Sequence, residues 1–86
     1  MILKFTNTVL KLDNNFSLSK IDSPVTPSVT IELLNSNKYI MVKFKTLESQ
    51  TEFYEKLSLL LQNNNEIENK TLDFSDNFGI INVAVR

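Results

Sequence analysis

The stretch Val29-Thr30-Ile31-Glu32-Leu33-Leu34-Asn35-Ser36-Asn37-Lys38-Tyr39-Ile40-Met41-Val42-Lys43-Phe44-Lys45 decides the fold. β-Branched and aromatic residues crowd both of its ends, and the polar run from Asn35 to Lys38 separates them, which is the pattern of two strands joined by a turn. A two-residue turn centred on Ser36-Asn37 sets Leu33 opposite Ile40, Ile31 opposite Val42 and Val29 opposite Phe44. Side chains alternate along a strand, so this register puts all of these on one apolar face. The opposite face is mixed: Leu34 meets Tyr39, Glu32 meets Met41, and Glu32 lies diagonal to Lys43.

After Lys45 the hydrophobic period changes from two to about 3.6, with Phe53, Leu57, Leu60 and Leu61 at i, i+4, i+7 and i+8. This spacing predicts an amphipathic helix. Ser49-Gln50-Thr51-Glu52 matches a capping box, Thr46 competes as the cap one turn earlier, and Asn63-Asn64-Asn65 ends the helix. Glu48, Glu52 and Glu55 form its wet side. A second hairpin is expected to follow, with Lys70 to Phe74 and Phe78 to Val85 as its arms and a turn at Asp76-Asn77. That register places Leu72, Phe74, Ile81, Val83 and Val85 on one face.

On the N-terminal side, Leu3 and Phe5 have one parity while Leu10 and Leu12 have the other. Residues 2 to 12 therefore form either one strand with a bulge near Asn7 or two short strands. Residues 13 to 28, which include Pro24 and Pro27, read as an irregular crossing segment tethered by Phe16, Leu18 and Ile21. The fold expected is α+β, one domain over residues 1–86. It has a mainly antiparallel sheet of about five strands in the order ββ-β-α-ββ, with one helix on a face. One helix covers one side of such a sheet. The other side, expected to carry Leu34, Tyr39, Met41, Ile80 and Ala84, is then left for residues 13 to 28, a second copy or a foreign partner to cover.

Composition closes off much chemistry. The 86 residues contain no His and no Cys, so the usual base near neutral pH, the thiolate nucleophile, the common zinc sets and disulfides are all absent. Gly79 is the single glycine and Arg86 the single arginine, which precludes a glycine-rich phosphate loop and an internal arginine clamp. A net charge of −1 lacks the basic excess that duplex DNA binding draws on. Lys4, Thr6, Asn7 and Lys11 interrupt the N-terminal apolar run, so neither a signal peptide nor a membrane span is expected and the cytoplasm is the expected compartment. The sequons at Asn15 and Asn69 then carry no meaning.

Three further patterns weaken on inspection. Asp73, Ser75 and Asn77 alternate like calcium-loop ligands, but Phe78 stands where that loop needs Gly, and Ala84 where it needs Glu. Tyr39, Val42 and Phe44 fit the aromatic strand of an RNA-recognition motif, yet Lys38 and Ile40 replace its small residues and no helix is found between residues 12 and 28. The carboxylate pairs Asp73 with Asp76 and Glu66 with Glu68 have neither nucleophile nor metal partner nearby, so no catalytic residue is assigned.

One constellation remains: Tyr39, Met41, Lys43 and Lys45 lie on one face of a single strand, an aromatic and a thioether followed by two ammonium groups. Its plainer reading is an exposed strand whose lysines aid solubility and protect an edge. The function expected by elimination is binding without catalysis or cofactor. The chain forms a homo-oligomer and blocks a macromolecular partner such as a host protein. The alternative is sequestration of a small anionic ligand, such as a nucleotide, at a subunit interface through the Tyr39 to Lys45 stripe. Phe, Tyr, Met, Ile, Asn and Lys total 36 residues against 5 of Gly, Ala, Arg and Pro, which suggests low-GC coding and a phage or mobile-element source.

Overall fold

The computed structural model describes residues 1–13, 15–62, 70–75 and 79–86. Along the chain run β1 (Ile2–Lys4), β2 (Val9–Lys11), β3 (Phe16–Ile21), β4 (Ser28–Leu33), β5 (Lys38–Phe44), α1 (Leu47–Gln62), β6 (Thr71–Asp73) and β7 (Ile80–Val85). The fold is α+β, with one helix and two sheets, of order β2-β1-β6 and β3-β4-β5-β7, among the described residues. Every strand pair is antiparallel except β1 with β6. No helix among the described residues is long and apolar enough to cross a membrane.

The deciding stretch forms β4 and β5, in a register two residues from the expected one. Leu33 pairs with Lys38, Ile31 with Ile40 and Val29 with Val42. A four-residue loop, Leu34 to Asn37, replaces the two-residue turn, since Ser36-Asn37 lacks the glycine that the tight hairpin turns favour. A slip of two preserves the alternation. Val29, Ile31, Ile40, Val42 and Phe44 therefore still face the core and are buried, whereas Glu32 now opposes Tyr39, and Thr30 opposes Met41.

Three other expectations are corrected. Residues 16 to 21 form an edge strand on β4 rather than an irregular crossing segment. Phe16 and Leu18, at alternate positions, turn toward the core while Ser17 and Ser19 face the other way. The second hairpin does not form. β6 lies parallel to β1, and β7 joins the far side of β5, so Lys70 to Phe74 and Ile80 to Val85 belong to different sheets. Leu72 and Phe74 consequently reach the core from one sheet and Val83 from the other, while Ile81 and Val85 remain more than half exposed. The expected turn at Asp76-Asn77 and the helix end at Asn63-Asn64-Asn65 lie outside the described residues. At the N-terminus the two-strand alternative holds, with Leu3 opposite Leu10.

The helix cap is Thr46, whose Oγ1 accepts the Ser49 amide at 3.2 Å, so the earlier cap prevails over the box at Ser49. Phe53, Leu57 and Leu60 are buried as their spacing requires, and α1 packs against β3, β4 and β5. The smaller sheet reaches the same core. The Phe53 ring lies 5.2 Å from that of Phe44, 4.6 Å from Phe74 and 6.3 Å from Phe5, so one helix side chain joins both sheets. Aromatic pairs of this kind add about 0.5–1.5 kcal/mol each beyond their buried area.

Gln50, fully buried on the same helix, spans the β3–β4 connection. Its Nε2 donates to the carbonyls of Ile21 at 2.8 Å and Ser28 at 2.9 Å, while Oε1 is buried and finds no partner among the described residues. Within that connection Ser23 Oγ accepts the amides of Val25 and Thr26, and Val25 stands 84% exposed at the tip.

Candidate functional site

The alternation that buries Ile40, Val42 and Phe44 turns Tyr39, Met41 and Lys43 to the other side of β5, and all three are half-buried. β5 is an interior strand, so these lysines do not protect an edge. Tyr39 sits between Glu32 of β4 and Arg86, Met41 between Thr30 and Ala84, and Lys43 between Ser28 and Asn82. Beyond Glu32 and Thr30, Ser17 and Ser19 of β3 complete the rows, and Ser17 Oγ donates to Glu32 Oε2 at 3.4 Å. Lys45 lies past the strand end, exposed, with its amide donating to the Gly79 carbonyl at 2.8 Å. The four stripe residues thus follow one another along the chain, three of them on the sheet face and Lys45 at its rim.

The face is more polar than expected. Leu34 leaves it for the β4–β5 loop, where it is 62% exposed. Ile80 leaves it too: β7 shifts register between its pairings to Lys43 and Phe44, so Ile80 opposes Phe44 and packs on the core, with Ile81 as the extra residue. What remains is a short apolar centre of Tyr39, Met41 and Ala84, with Ile21 exposed at the end of the Lys43 row, within a field of hydroxyls, an amide and charges. The helix packs on the opposite side of this sheet, and residues 16 to 21 extend the sheet as β3 instead of covering it. Sequence reasoning missed the hydroxyl neighbours Ser17 and Ser19. The alternation Phe16-Ser17-Leu18-Ser19 carried the signal that would have placed them.

The surface is open. Tyr39 borders a shallow hollow of about 270 Å³ at the hairpin end, beside Glu32 and Leu34. A separate hollow of about 170 Å³ lies between the β1–β2 turn and β7, bordered by Phe5, Thr8, Phe74, Ile80 and Val83. Its described lining holds no acid, base or metal ligand of the carboxylate, imidazole or thiolate kind.

The other patterns weighed in the sequence meet the structure unevenly. Val42 and Phe44 are fully buried beneath the helix, which removes two of the three strand positions that an RNA-binding face would use. Asp73 Oδ1 accepts both the hydroxyl and the amide of Ser75. The hydroxyl bond first, then the amide and the nearby Lys4 charge, hold the Asp73 carboxyl below its ordinary value, which suits an anion rather than a general acid. Its expected partner Asp76 and the pair Glu66 and Glu68 lie outside the described residues, as does Asn77 of the calcium pattern. Among the described residues no three acidic side chains gather closely enough to hold a metal ion. No family model, curated protein or solved structure matches the chain.

Proposed function

We propose that the protein binds another protein through the open face of its larger sheet and acts by occupying that partner, without catalysis. The observation that carries this reading is the half-buried column Tyr39, Met41 and Lys43 on an interior strand with no element of the described chain packed over it. Tyr and Met are enriched at the centres of protein interfaces, and a polar rim of the kind made by Ser17, Thr30, Glu32 and Asn82 is how such patches stay soluble when free. A flat surface suits a protein partner better than a small molecule, which needs a concave site enclosing most of its area. A nucleotide would need a second surface above Tyr39 and Lys43 to enclose it. The absence of His and Cys and the net charge of −1 also favour a protein partner over a substrate or a nucleic acid. Encoded by a phage or mobile element, such a chain would block a protein of its host.

The test places a photo-crosslinking amino acid at position 41 and, as a control, at position 52 on the wet side of the helix. In lysate of the cell that carries the gene, position 41 should give one stoichiometric adduct and position 52 none, and Lys43→Glu should weaken the adduct at least tenfold. Equal labelling from both positions would remove the reading. A thermal shift on the order of 10 °C with a nucleotide near 100 Kd, abolished by Lys43→Glu, would replace the protein partner with a small anion.

A further inference from the structure

We propose that the Glu32 end of the open face receives an arginine side chain of the partner protein, its guanidinium stacked on the Tyr39 ring and paired with the Glu32 carboxylate. This rests on the protein-partner reading and names what that partner must present. Glu32 of β4 stands directly opposite Tyr39 of β5, so the two side chains rise as neighbours from one face. Beside them the hairpin end forms the hollow of about 270 Å³, with Leu34 and Asn37 on its wall. A carboxylate, an aromatic ring and an exposed aliphatic side chain therefore meet around one depression.

Charge selects the occupant. Ser17 Oγ donates to Glu32 Oε2 at 3.4 Å, a long bond that leaves the other carboxylate oxygen for a further donor. Asp13, whose Oδ2 accepts Asn35 Nδ2 at 3.2 Å, adds a second carboxylate to the same end of the sheet. Lys38 also borders the hollow, but it shares the parity of Ile40, so its stem leaves from the helix side of the sheet. The chain's own arginine starts from beyond Tyr39. Arg86 lies two strands from Glu32, about 10 Å across the sheet, and its bonds among the described residues are the two backbone ones to Tyr39.

A planar guanidinium uses both groups at once, stacking on the ring while its fork of donors meets the carboxylate, whereas an ammonium brings a point charge. Arginine is also among the residues enriched at protein interfaces. A free cation is the poorer occupant, because the hollow is shallow and a small ligand is held where most of its surface is enclosed. The far end of the column has the opposite sign: Lys43 lies four residues along β5 from Tyr39, about 13 Å away, with Met41 between them. A partner that fits both ends presents an arginine and a carboxylate on either side of an apolar contact.

N-Acetyl-arginine amide stands in for the partner's side chain, with the neutral isostere N-acetyl-citrulline amide as its control, each titrated into the isotope-labelled full chain and followed by NMR. The arginine amide should shift the backbone signals of Glu32, Leu34 and Tyr39 along a saturable curve with Kd on the order of 10 mM, and the citrulline amide should bind at least fivefold more weakly. Glu32→Gln should weaken the arginine response about tenfold and Tyr39→Leu about threefold, while Glu52→Gln on the helix leaves it unchanged. If Glu32→Gln misfolds, Tyr39→Leu and the citrulline comparison on the wild-type chain decide. Equal binding of the two amides, or shifts centred on the helix acids, would overturn the proposal. So would a response that emerges only in Arg86→Gln, which would put the chain's own guanidinium in the hollow. A Kd below about 10 µM for the free amide would overturn it too, by making the hollow a small-molecule site. The adduct at position 41 reports on the open face separately, so a missing arginine response beside an intact adduct overturns the guanidinium site alone.

Discussion

Replacing Gln50 by Glu keeps the shape of the side chain and inverts its role. The native amide, fully buried, donates to the carbonyls of Ile21 at 2.8 Å and Ser28 at 2.9 Å. A carboxylate there donates nothing and faces two carbonyl oxygens. The two lost bonds cost about 0.5–1.5 kcal/mol each, and an uncompensated buried charge costs about 3–5 kcal/mol. Against a total stability of about 4–13 kcal/mol for a chain of this size, the variant is marginal or unfolded at neutral pH. Burial raises the folded-state pKa of the new Glu above its unfolded value of about 4.3. The folded state then binds the extra proton, so stability relative to wild type is least impaired below about pH 4.3. It falls by about 1.4 kcal/mol per pH unit up to the raised pKa, then levels off. Urea denaturation from about pH 4 to about pH 7, with Gln50→Leu as the uncharged comparison, measures this directly. If the stability curves of Gln50→Glu and wild type run parallel within about 0.5 kcal/mol, the amide does not hold the β3–β4 connection as described.

Phe53→Ala removes the ring that joins both sheets and should cost about 3–5 kcal/mol by chemical denaturation, while Leu59→Ala on the exposed side of the same helix should cost under about 0.5 kcal/mol; similar losses would contradict the helix phase. Asp73 is held below its ordinary value of 3.8, chiefly by the Ser75 hydroxyl, so its contribution to stability is present above the unfolded pKa and is lost as pH falls through the folded one. In Ser75→Ala the Asp73 carboxyl, followed by NMR, should titrate nearer 3.8, and an unmoved midpoint would rule out the hydroxyl as the cause.

The elements that could be read directly were those whose own residues set the period. Phe53, Leu57 and Leu60 define the buried side of α1 whatever lies above them, and the alternation through β4 and β5 survives a register slip of two because parity is unchanged. The stripe of Tyr39, Met41 and Lys43 was legible for the same reason. Its surroundings were not, because which strands flank β5 depends on pairings between distant segments. Two edges of that reading failed for local causes. A single extra residue, Ile81, turned Ile80 back to the core, and the alternating serines of β3 carry low strand propensity, so that a strand passed for a loop.

By itself, then, the order of residues determined the helix, the central antiparallel pair, the side of each that turns inward, and the absence of His and Cys chemistry, since all of these follow from spacing along one segment or from composition. Only the tertiary structure decided that β6 and β7 part into separate sheets and that Gln50 reaches across to the β3–β4 connection. Each of these rests on contacts between residues far apart in the chain, where several pairings satisfy the same local pattern and the shared core around Phe53 selects among them.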